Sequence, residues 1–114
     1  MDYRSITSHE AACQIIGKDP AQSTTTSQQS KDIVDAMNFL TKFKPDFNNH
    51  QQKKWRPFFI IDQAGFRFHD SCYVDSYSRA FVGSRLCDFV SSEEEADHFG
   101  KVFLGLHKRH YYGE

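Results

Sequence analysis

Phe81 to Leu106, FVGSRLCDFVSSEEEADHFGKVFLGL, runs from a glycine turn through a short strand into a capped amphipathic helix, and its reading decides the fold. Ser91 and Ser92 precede Glu94 and Glu95 at the S-x-x-E spacing, where a serine oxygen takes an orphan amide and the glutamate answers back. A helix starts there. Ala96, Phe99, Phe103 and Leu106 then recur at helical steps, so one apolar stripe needs a cover. The aromatic, strand-like middle of the chain offers it.

Upstream, Thr7 and Glu10 form a second capping box, with Ile6 placed to staple onto Ala11 and Gly17 placed for a left-handed cap. Between Lys18 and Ser30, KDPAQSTTTSQQS, Ala21 is the one apolar residue after Asp19-Pro20, which predicts a mobile linker at 18–30. From Lys31, the residues Ile33, Ala36, Met37 and Leu40 give a second helix that Pro45 stops at or before Lys44. Phe58 to Ile61 reads as a buried strand begun at Pro57, Asp62 to Gly65 as a turn, and Phe66 to His69 as the hairpin partner. Asp70 to Ala80 reads as a loop, and Arg85 to Val90 as a third strand. The expected architecture is a single α+β domain over 1–114. It has two N-terminal helices, a small antiparallel three-stranded sheet and a C-terminal amphipathic helix packed on it.

The apolar fraction is only 39%, but 11 Phe, 5 Tyr and Trp55 offset it, so the core is expected to be aromatic. Net charge is −1, which gives no long-range field to concentrate nucleic acid or anionic membrane. Cys13, Cys72 and Cys87 form no C-x-x-C pair and no leader precedes them, the expectation for reduced thiols in the cytoplasm. The longest apolar run, Phe58 to Ile61, is far too short to span a bilayer.

Cys87 with His69, His98 or His107 is the sharpest candidate for nucleophilic chemistry, yet a strand cysteine between Leu86 and Phe89 reads more simply as a small buried apolar residue. His69, Cys72, Cys87 and His98 have the ligand types for zinc, but their spacing matches no usual pairing. Glu93, Glu94, Glu95 and Asp97 fall where a helix start favours acids. Phosphate-cradling and nucleophile-elbow motifs are absent from the sequence. No catalytic residue, metal or cofactor is therefore expected. Two basic-aromatic clusters remain as candidate binding residues: Lys53, Lys54, Trp55 and Arg56, and then Lys108, Arg109, Tyr111 and Tyr112.

The segment Val82-Gly83-Ser84-Arg85-Leu86-Cys87, with Phe89 and the Ser92 to Phe103 helix carrying Ala96 and Gly100-Lys101, resembles a family of small uncharacterised proteins. Those are encoded by phages, prophages and mobile elements of gut Bacteroidetes. Glu10-Ala11-Ala12-Cys13, Gly17-Lys18-Asp19-Pro20, Pro45-Asp46-Phe47 and Trp55-Arg56-Pro57-Phe58-Phe59 are similar to other landmarks of that family. Asp88, between Cys87 and Phe89, is a one-residue departure that suggests a strand bulge. The resemblance implies a phage or mobile-element setting in a host cytoplasm. With no catalytic motif, the expectation is a non-catalytic accessory protein that binds a host or phage protein and modulates host functions or defence. The alternative is a nucleic-acid-binding accessory protein using the two basic-aromatic clusters.

Overall fold

The computed structural model describes residues 2–46, 48–74 and 89–113. Helix α1 is His9–Ile16 and α2 is Thr26–Thr41; strands β1 Lys54–Asp62 and β2 Gly65–Val74 follow, then α3 Glu93–Val102 and α4 Leu104–Tyr111. The fold is α+β, as the element pattern predicts.

Local chemistry sets most boundaries, with corrections. Ser8 rather than Thr7 caps α1, accepting from the Ala11 amide at 3.1 Å, and Gly17 ends it at φ 70°. Helix α2 starts well before Lys31, because Thr25 and Gln28 form a reciprocal capping box. The stretch 18–30 is thus not the linker its polarity suggested. It holds a 3-10 turn, Pro20–Gln22, capped by Asp19, and the first turn of α2. Polar side chains here satisfy caps and a buried carboxylate, so low apolarity does not mean an unordered stretch.

The sheet of the described residues is two-stranded, not three-stranded. Of the expected third strand, 85–88 lie outside the described residues, as does Asp88 with its suggested bulge, and Val90 contributes a single bridge to Trp55. Strand β1 also begins three residues before Pro57. Trp55 exchanges both backbone bonds with Val90, at 2.9 and 2.8 Å, so its polar groups point away from β2. Pro57, two residues on, faces the same outer side and its missing amide costs the ladder nothing. Asp70 to Val74, part of the loop expected over Asp70 to Ala80, extend β2, while 75–80 lie outside the described residues. A bulge does occur, at the register shift between Phe58 and Phe59, where His69 is the extra residue of β2.

The single C-terminal helix expected is two helices. They break at Phe103, with φ −105° and ψ 28°, yet Ala96, Phe99, Phe103 and Leu106 are all buried. They join Ile6, Ile33, Val34, Ala36, Met37 and Val90 in one core. Among the described residues that core is built mainly by helices and is largely aliphatic, a correction to the aromatic core expected. Phe58, Phe59, Phe66 and Phe68 are only half-buried on the hairpin. Helix α3 crosses the hairpin at Gly100, where a Cβ would lie 2.5 Å from the Phe68 ring and 2.8 Å from Pro57 Cβ. Only glycine allows that approach. Among the described residues, no helix is long and apolar enough to cross a membrane.

Candidate functional site

The basic-aromatic residues take different places. Lys54 is 0% exposed, and its ammonium donates to the Gln52 and Asn49 carbonyls at 2.8 and 3.2 Å, closing the loop before β1. Lys53 Nζ stands 4.5 Å over the Tyr73 ring, which in turn lies 5.0 Å from half-buried Trp55. Arg56 shares a groove of about 440 Å³ with Phe59, Phe66, His107 and Tyr111. Tyr112 packs 5.1 Å from Tyr111. Lys108 and Arg109 are exposed on α4, and Arg109 borders a separate cavity of about 290 Å³ beside His9. The two clusters therefore meet at Arg56 and Tyr111, while Lys53, Trp55 and Arg109 lie elsewhere.

The other expected sets are dispersed too. Cys87 lies outside the described residues. His69 is exposed, and Cys72 bonds Asp70 at 3.9 Å with its thiol pushed up by burial and then by the Asp70 charge. His98 Nε2 bonds the Ile6 carbonyl at 2.8 Å, and His107 Nε2 the Phe99 carbonyl at 3.2 Å. The acidic start of α3 works structurally: Glu95 takes the hydroxyls of Ser91 and Ser92, and Asp97 accepts from Ser71 at 2.6 Å.

A different trio comes together. Four residues apart on α1, His9 and Cys13 face Asp32 of α2, with one donor atom from each within 4.8 Å of the others. His9 Nε2 is 2.8 Å from Asp32 Oδ2, Cys13 Sγ is 3.3 Å from the same nitrogen, and Cys13 Sγ is 3.8 Å from Asp32 Oδ2. Lys18 Nζ donates to Asp32 Oδ1 at 2.9 Å, and the Ser23 hydroxyl to Oδ2. Burial pushes the Asp32 carboxyl up, but the bonds from His9, Ser23 and Lys18 outweigh it and hold its pKa at about 2. Burial pushes the Cys13 thiol up, and the Asp32 charge adds to this. Two signals in the sequence carried this site: a His and a Cys at helical i, i+4 spacing, and an acid beside Ile33 on the inner face of α2.

Its geometry is not that of a nucleophilic triad. Such a triad needs the base to meet the orienting carboxylate through one ring nitrogen and the nucleophile through the other. Here one nitrogen, Nε2, faces both. An ionised Asp32 only accepts, so Nε2 carries the proton and has no lone pair for the thiol. What the three atoms do share is a common point.

The far end of α2 offers a different surface. Phe39 is 65% exposed. It and Leu40 form a ridge between two depressions, one of about 1060 Å³ with Ile16, Phe43 and Pro45, the other of about 450 Å³ with Ala11 and Ile15. Lys18, Lys42 and Lys44 border the larger one, with Asp35 opposite in charge but paired to Lys31 at 2.6 Å.

Comparison with protein-family models, curated proteins and solved structures returns no match. The functional reading rests on the chain's own surfaces.

Proposed function

We propose that the protein is a non-catalytic binding module that docks an acidic, apolar segment of another protein on the Phe39 ridge. The observation that carries this is a large ring left 65% exposed between two depressions. A contiguous apolar patch of this kind on a folded surface marks an interaction site. Exposed Lys42 and Lys44 at its margin select an acidic partner. A two-fold pair of this chain centred on Phe39 would instead bring those lysines towards their own kind. A phage or mobile-element setting, with a host or phage protein as partner, follows from the sequence resemblance alone. The nucleic-acid alternative keeps Arg56, Lys108 and Arg109 as contacts but loses the buried Lys54.

A displayed library of short peptides selected on the intact protein tests this reading. Enriched sequences should combine Leu or aromatic residues with Asp and Glu, and Phe39→Glu should weaken them roughly tenfold or more. Enrichment of basic sequences, or full binding by Phe39→Glu, overturns it. Submicromolar, salt-steep binding to single-stranded oligonucleotides would favour nucleic acid instead.

A further inference from the structure

We propose that His9, Cys13 and Asp32 form a binding site for a zinc-class divalent transition metal. Imidazole nitrogen, thiolate sulfur and carboxylate oxygen are the three donor types zinc takes, and bond lengths of about 2.0–2.3 Å put tetrahedral ligands roughly 3.3–3.6 Å apart. The donor atoms stand at 2.8, 3.3 and 3.8 Å. Each therefore needs to shift by about half an ångström or less for one ion to bind all three.

The surroundings suit that ion. Lys18 holds Oδ1 of Asp32 at 2.9 Å and so orients Oδ2 towards the other two donors. Cys13 and Asp32 are buried, whereas His9 borders the 290 Å³ cavity with Thr7, Gln29 and Arg109, which gives the ion a way in. A thiolate donor excludes magnesium and calcium, which take oxygen ligands. Binding is balanced in protons: the Cys13 thiol loses one to solvent as its sulfur bonds the metal, and the His9 proton moves from Nε2 to Nδ1. Three protein donors leave a fourth position for water or for a ligand from the cavity.

The site shares Lys18 with the rim of the larger depression, but Phe39 contributes no donor to it, so Phe39→Glu should leave metal binding unchanged. Cobalt(II), titrated into intact protein stripped with chelator, is the probe. A single equivalent should give a near-ultraviolet thiolate-to-cobalt band with the visible bands of a tetrahedral site, and zinc should bleach both. The Cys72→Ser/Cys87→Ser double variant leaves Cys13 as the sole thiol and should keep the band. Cys13→Ser should lose it and bind cobalt roughly 100-fold more weakly. The absence of a band up to ~1 mM cobalt, or a band that survives Cys13→Ser and vanishes in the double variant, overturns the site.

Discussion

In the helical half Asp32 is buried against Lys18, Ser23 and His9, whereas at the base of the hairpin Lys54 is buried against backbone carbonyls. Both are charged and nearly sealed, at 2% and 0% exposure. They differ in what their partners can do. The carboxylate is held by His9 of α1, by Lys18 just past the Gly17 cap and by Ser23 at the end of the 3-10 turn, so it ties these segments to α2 and sits among metal donors. Among the described residues, the ammonium donates to main-chain oxygens within five residues of it, those of Asn49 and Gln52, and so helps to close the loop before β1. A buried charge paired across the fold carries both stability and chemistry, whereas contacts to nearby carbonyls carry shape.

Asp32→Ala should show the largest effect. It leaves Lys18, Ser23 and His9 without their acceptor, and losing one side of a buried pair costs about 3 kcal/mol, less than the extreme because Lys18 can reach water. Chemical denaturation measures it. The acid limb sharpens the test. The folded pKa is depressed from 3.8 to about 2, so the contribution is complete above pH ~4 and fades as pH falls through 2, worth about 2 kcal/mol. The variant should lack that limb. If it melts like the parent at every pH, the cluster is not holding the segments together.

The same contrast explains what the sequence made legible. The α+β class, the Gly17 cap, the hairpin turn and the buried face of Ala96, Phe99, Phe103 and Leu106 all follow from periodicity and capping, which act within a few residues. The polarity of 18–30 hides an order that combines the local capping box of Thr25 and Gln28 with contacts from Lys18 and Ser23 to Asp32 across the fold. For that reason too spacing rules reach only part of the cluster: His9 and Cys13 stand at i, i+4 on α1, but their meeting with Asp32 of α2 crosses the fold. The sequence points Lys54 to a binding surface because charge usually stays in water. Nothing local announced that carbonyls of the preceding loop would enclose it.

Gly100→Ala tests the seam between the two halves. Its new Cβ would meet the Phe68 ring and Pro57 Cβ at 2.5 and 2.8 Å, and Pro57 is buried in a rigid ring. Overpacking should cost about 2 kcal/mol, against the usual gain of Ala over Gly in a helix. An unchanged or raised midpoint would mean that the hairpin slides away from α3 easily, and that the halves are only loosely joined.

Lys54→Met should show the smallest loss. Methionine keeps most of the buried stem and removes the ammonium, leaving the Asn49 and Gln52 carbonyls to find water. They can, because Asn49 is exposed and Gln52 is half-buried in the loop before β1. The expected cost is therefore about 1 kcal/mol, a third of that at Asp32, and the same denaturation series reads both. Amide exchange should confine the change to the loop at 46–53 and the start of β1. A loss at Lys54 equal to that at Asp32, or exchange rising throughout the helices, would show that this charge also braces the whole fold and that the local partners are not what matters.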